Sequence, residues 1–210
     1  MRWSRQILML VMATALACGT QYGFATPSLD ISTSKHVYEY GDFLSINFQI
    51  SEMTSNSITI HITDSSNKTS APINLSIDKP NSTITSPFPF YKTTFNPGTY
   101  YIDAEYAGVK ASTSFDLIDS GKIAIPTEFK SLVNTLQQGS SPTDKAYAGI
   151  IRELINNNIL NIPNYNNQTS QVHIPQWFKN NVRWWSENSI SDNEFGMSIE
   201  YLIQKGIMQV

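Results

Sequence analysis

The stretch Ile174–Val210, IPQWFKNNVRWWSENSISDNEFGMSIEYLIQKGIMQV, decides the second half of the fold, because it holds two helices with their own start and stop signals. Ile174, Phe178, Val182 and Trp185 recur at i, i+4, i+8 and i+11 and so share one side of a helix, with Trp177 and Trp184 widening that apolar face. Pro175 suits the first turn of that helix. Ser191 to Glu194 has the S-x-x-E form of a capping box and predicts a second helix. Phe195, Ile199, Leu202 and Ile203 supply its buried stripe, and Gly206 can take the left-handed conformation that closes it, with Ile207 placed to touch Leu202.

A looser version of the same sentence stands upstream. Ile125-Pro126, Phe129-Lys130 and Val133 precede Ile174-Pro175, Phe178-Lys179 and Val182 by 49 residues; Asp144, Ile151, Leu154, Ile155 and Ile159 precede Asp192, Ile199, Leu202, Ile203 and Ile207 by 48. Gly139 answers Asn188 and Asn158 answers Gly206, and each of these residues tolerates a helix-ending left-handed conformation. Ser141-Pro142 suggests a helix start two residues before the aligned Thr143-Asp144. The reading is one hairpin written twice, over 125–162 and 174–210, with an Asn- and Gln-rich joint between. Four helices too short to be stable alone are expected to bury their stripes in one shared unit spanning 125–210.

Before Asp119 the period is two. Leu44, Ile46, Phe48 and Ile50 alternate with polar residues, as do Ile58, Ile60 and Ile62, then Ile73, Leu75 and Ile77, Tyr100 to Tyr106, and Val109 to Leu117. Turn residues separate them at Tyr40-Gly41-Asp42, Asp64 to Asn67, Lys79-Pro80-Asn81, Asn96-Pro97-Gly98 and Ala107-Gly108. Seven or so short strands at this spacing predict an all-β sandwich over 28–118, joined by a linker at 119–124 to a separate all-α unit.

The N-terminus carries Arg2 and Arg5 ahead of an apolar run, Ile7 to Ala17, suited to a signal-peptide core and too short to span a bilayer. Small residues at Gly23 and Ala25 favour cleavage after Ala25, giving a leader of residues 1–25; Ala17 is the alternative. Cys18 after Ala15-Leu16-Ala17 invites a lipid anchor, although a lipobox normally has its leucine one residue earlier. Removing the leader leaves 12 basic residues against 17 acidic ones, a formal charge of −5 (12 − 17), which argues against nucleic acid as a partner. The single cysteine leaves with the leader or carries a lipid, so the mature chain has no intrachain disulfide and depends on packed cores. No transmembrane helix is expected in it. Asn67, Asn74, Asn81 and Asn167 open Asn-x-Ser/Thr triplets and are glycan acceptors in an exported chain.

The residues Tyr38-Glu39-Tyr40-Gly41-Asp42 and Asn96-Pro97-Gly98-Thr99-Tyr100-Tyr101 resemble the turns of immunoglobulin-like or macroglobulin-like modules of exported proteins; the resemblance implies that fold and no activity. The pattern IP-x-W-F-K-N-N, W-W-x-x-x-x-I-S-D-x-x-F and Y-L-I-x-x-G-I-M is similar to a recurrent hairpin motif in exported proteins of ammonia-oxidising archaea. In the first copy Glu128, Thr135 and Leu136 replace the tryptophans. This resemblance implies an extracytoplasmic, modular chain at the cell surface and carries no activity.

Chemistry is sparse. A type I copper site needs a thiolate with two histidines, and His36, His61 and His173 show no zinc spacing. No G-x-S-x-G elbow is present. A chain without catalytic residues, metal or cofactor is therefore expected, acting as a binding or structural module toward a protein or glycan partner at the cell envelope. Alternatives are an accessory or degenerate hydrolase and a glycan-binding module. The candidate contact residues are Trp177, Trp184 and Trp185, with Phe88, Phe90 and Tyr91 of the Pro87–Tyr91 run; the competing readings are helical core for the indoles and a kinked edge strand for the run.

Overall fold

The computed structural model describes residues 27–138, 142–165 and 171–210; the leader with Cys18, Gly139, Ser141 and Asn167 lie outside them. Among the described residues eight strands precede four helices. β1 (Leu29–Thr33), β3 (Phe43–Ile50) and β6 (Asn81–Pro89) form one sheet in the order β1-β3-β6. β2 (Val37–Glu39), β8 (Val109–Ile118), β7 (Gly98–Tyr106), β4 (Ser57–Thr63) and β5 (Ile73–Ser76) form the other in the order β2-β8-β7-β4-β5. Pairing is antiparallel except for β2, which runs parallel to β8 along the sheet edge. Inward residues of both sheets, among them Ile46, Phe48, Ile58, Ile102, Phe115 and Leu117, meet in one core. The alternation seen in sequence is thus the alternation between that core and solvent. Pro87 and Pro89 sit on the edge strand β6, where a missing backbone donor disrupts no further ladder. At the start of β7, Gly98 has φ +138°, and a Cβ there would lie 2.5 Å from Ser65 Cβ, so the Pro-Gly turn requires glycine.

The helices are α1 (Thr127–Gln138), α2 (Asp144–Asn156), α3 (Phe178–Ser186) and α4 (Asp192–Gln204). Their local bonds repeat with the sequence. Phe129 N donates to Pro126 O and Phe178 N to Pro175 O at the two first helices. The ends of α2 and α4 close identically: Ile159 N and Leu160 N reach Leu154 O, as Ile207 N and Met208 N reach Leu202 O, with Asn158 at φ +55° and Gly206 at φ +68°. The capping box at Ser191 and Glu194 is formed, and Thr143 caps α2, so this helix starts at the position aligned with the repeat and not at Ser141-Pro142. Met208 is buried at this closure, whereas Ile207 is 43% exposed and meets Leu202 through its amide, which donates to the Leu202 carbonyl at 2.9 Å.

Both copies contribute to one second core, containing Val133, Ile151 and Leu154 from the first and Phe178, Trp185 and Ile199 from the second. The copies also hold each other's starts. Asp192 of the second accepts the Ile125 amide at 2.9 Å and pairs with Lys130 at 3.0 Å. Asp144 of the first accepts the Ile174 amide at 3.2 Å and pairs with Lys179 at 2.8 Å. Ile123 and Ala124, assigned to the linker from sequence, are buried: Ala124 joins the core of the sheets while Ile123 and Ile125 join the helical core. An extended segment puts successive side chains on opposite sides, so three residues engage both cores.

Candidate functional site

The Pro175 carbonyl accepts from Phe178 N in the turn that leads into α3, and the 100° step of a helix then sorts the residues into two faces. Phe178, Val182 and Trp185 are buried; Trp177 is 53% and Trp184 43% exposed. Seven residues separate the exposed indoles, two turns and about 10 Å along the axis, so they project along the same line. Asn181, half-buried, falls between them on the same side, while Asn188 lies beyond the end of α3 at φ +60°. The Trp177 ring rests edge-on against Phe178, with centroids 6.1 Å apart. The Asn188 carboxamide oxygen accepts from Lys130 Nζ at 2.8 Å.

The three indoles singled out from sequence therefore part company. Trp185 is fully buried, stacked on Phe195 with centroids 4.4 Å apart, and donates from Nε1 to Asp192 at 2.8 Å, with Lys130 Nζ 5.5 Å from its ring centroid. It is a core residue with a satisfied donor and is withdrawn as a contact residue. Trp177 and Trp184 in turn leave the apolar face assigned to them, because Phe178, Val182 and Trp185 already fill the space under α3.

The Pro87–Tyr91 run also divides. Phe88 is exposed, Phe90 is buried against Tyr38, Phe95 and Phe115, and Tyr91 is half-buried. Phe90 is withdrawn for the same reason as Trp185. Burial raises the Tyr91 phenol, and the carboxylates of Asp192 and Glu128 raise it further, which places this side chain at the junction of the two halves.

His61, Asp103 and Ser112 lie side by side across β4, β7 and β8 on the solvent side of the larger sheet. Asp103 occupies the middle of the row and accepts from the Ser112 hydroxyl, while His61 Nδ1 sits 3.3 Å from the Ser70 carbonyl. A nucleophile relay needs the imidazole between hydroxyl and carboxylate. His173 pairs through its backbone with Gln209, at 2.9 and 3.0 Å. His36 is exposed, its carbonyl accepting from Asp116 N. No group of three or more metal-ligating side chains occurs among the described residues, and none of their helices is long and apolar enough to cross a membrane. Asn67 lies in an exposed turn, Asn81 is exposed at the start of β6, and Asn74 on β5 is exposed while its side-chain oxygen accepts from Thr59 at 2.9 Å. A polar cleft of about 440 Å³ between the halves is lined by Tyr40, Lys92 and Asn96 on one side and Asn156, Asn157 and Asn158 on the other.

Asn181 was not singled out from sequence as a contact residue, although W-x-x-x-N-x-x-W spacing places it between Trp177 and Trp184, while Asn188 takes the helix-ending left-handed conformation expected of it. No protein-family model matches the chain, and no curated protein matches it.

Proposed function

We propose that this is an exported, non-catalytic binding module of the cell envelope, which contacts its partner through the outer face of α3. The observation that carries the reading is an internal comparison. The first copy has Glu128 and Thr135 where the second has Trp177 and Trp184, and it makes the same turn into its first helix, closes its second helix in the same way and joins the same core without indoles. Large rings that the fold does not need, held on a rigid helix in water, indicate contact with something outside the chain.

The sheet half is read as an immunoglobulin-like sandwich over 28–118, and the helical half as a separate unit over 125–210. Support comes from the three- and five-stranded sheet orders, from the parallel β2 edge, and from Tyr100 near the start of the penultimate strand, whose hydroxyl donates to Asn96 O at 2.8 Å. Two distinct cores support the division. The archaeal hairpin resemblance and the leader support an extracytoplasmic setting, with partner access from outside. The hydrolase alternative gains nothing from the His61, Asp103 and Ser112 row, whose order does not fit a relay.

The test imports the first copy's residues. Trp177→Glu combined with Trp184→Thr should leave the circular dichroism spectrum and melting unchanged and abolish retention of the mature protein on envelope preparations. Retention at the unaltered level would sink the reading.

A further inference from the structure

We infer that Asn67, Asn74 and Asn81 carry N-linked glycans that guard free strand edges of the sheet half; this rests on the reading of the chain as exported. Each asparagine opens an Asn-x-Ser/Thr triplet, closed by Thr69, Ser76 and Thr83. The other asparagines of 28–118, Asn47, Asn56 and Asn96, open none. Asn67, Asn74 and Asn81 are all exposed. Asn74 accepts from Thr59 through its side-chain oxygen, a bond that leaves the amide nitrogen, the atom a glycan takes, uncommitted.

Their places match a gap in the protection of the sheets. The terminal strands β1, β6, β2 and β5 pair on one side only among the described residues. A free edge invites pairing with another chain unless a charge or a proline blunts it. β1 has Asp30, β2 has Glu39, and the second half of β6 has Pro87 and Pro89. β5 and the first half of β6, Asn81 to Ser86, have neither. Asn74 stands on the first of these and Asn81 on the second, each on the solvent side, next to the inward Leu75 and Ser82. Asn67 lies in the turn between β4 and β5 that the Thr63–Thr69 bridge closes. A bulky hydrated glycan at each site keeps a second chain off the edge, as a lysine would. Attachment is a substitution: Asn Nδ2 attacks the anomeric carbon of a glycosyl phosphate donor, the N–C bond forms as the C–O bond to phosphate breaks, and the released phosphate takes up the displaced proton.

Glycopeptide mass spectrometry on the protein from its native envelope should show saccharide adducts at Asn67, Asn74 and Asn81. The same chain made without a glycosyltransferase should self-associate roughly tenfold more tightly in sedimentation. Asn74→Lys combined with Asn81→Lys should return that unmodified chain to the level of the glycosylated one, with an unchanged melting curve. Bare Asn74 and Asn81 in the native protein, an unmodified chain as monomeric as the glycosylated one, or association indifferent to the two lysines overturns the inference. Bare sites on a chain that has lost residues 1–25 overturn the glycans alone; bare sites on a chain that keeps those residues overturn the exported reading as well.

Discussion

Asp144 and Asp192 hold each other's hairpins: each carboxylate, placed on the first turn of its own copy's second helix, accepts the isoleucine amide that opens the other copy. The relation is reciprocal, and Lys179 and Lys130 complete it from the first helices. It is not symmetric in weight, because only Asp192 also receives the buried Trp185 Nε1. Asp192→Ala strands two buried donors and an ammonium group, and should cost about 2–4 kcal/mol. Asp144→Ala strands one amide and the Lys179 ammonium group, with no indole donor, and should cost about 1–2 kcal/mol. Urea unfolding followed by far-ultraviolet circular dichroism would rank them; equal losses would mean that the Trp185 bond contributes nothing.

Acid should loosen this arrangement. The hydrogen bond from Lys179, with the Ile174 amide, holds the Asp144 carboxyl below the usual carboxylate range. A folded pKa lower than the unfolded one contributes stability that is present above the ordinary aspartate value of about 3.9 and is lost as pH falls through the folded value. Helical signal should therefore become more sensitive to urea below about pH 4. Asp144→Asn should remove part of that dependence, and a stability profile unchanged by the substitution would refute the linkage.

Most of the fold was legible because it follows from periods. Alternation located β3, β4, β5, β7 and β8, and the i, i+4, i+8, i+11 spacing of Ile174, Phe178, Val182 and Trp185 located residues that are buried. The latch was not read, although Asp144 and Asp192 had been aligned, because an aspartate at a helix start already has a local explanation in the macrodipole. Its long-range partners depend on how the copies face each other, which no local pattern records. The indole assignment failed for a related reason: Trp184 and Trp185 are adjacent and therefore 100° apart, so their fates had to differ. Only the packing of Trp185 on Phe195 decides which of the two goes inside.

In the sheet half, Tyr106 is a buried residue with an essential hydroxyl. Its oxygen accepts from the amides of Thr54 and Ser55 at 2.6 and 2.8 Å and donates to Ser55 O at 3.0 Å, tying the β3–β4 connection to the end of β7. Tyr106→Phe keeps the ring and removes every one of these bonds, leaving backbone donors without their partner. The sheet half should lose about 1–3 kcal/mol. Amide exchange should show faster opening at residues 54 and 55 and unchanged protection in α1 to α4; an unaltered unfolding midpoint would mean that water replaces the hydroxyl at no cost.

Deleting residues 174–210 should unfold the first hairpin as well. Val133, Ile151 and Leu154 pack in the same core as Phe178, Trp185 and Ile199, and the Ile125 amide loses Asp192 as its acceptor. Each large apolar side chain contributes roughly 1.5–3 kcal/mol when fully buried. A domain of this size retains only about 5–15 kcal/mol of net stability, so half a core cannot order α1 and α2. The sheets keep their own core, in which Ala124 is the residue contributed from the junction, and should stay folded. Circular dichroism of the truncated chain should show strand signal with little helix, and amide exchange should show protection in β3, β4, β7 and β8 and none over 127–156. Persistent protection in α1 and α2 would mean that each copy folds alone. The reciprocal Asp144 and Asp192 contacts would then be a docking arrangement between two autonomous hairpins, and their loss would expose the face under Phe178 and Trp185 without unfolding either one.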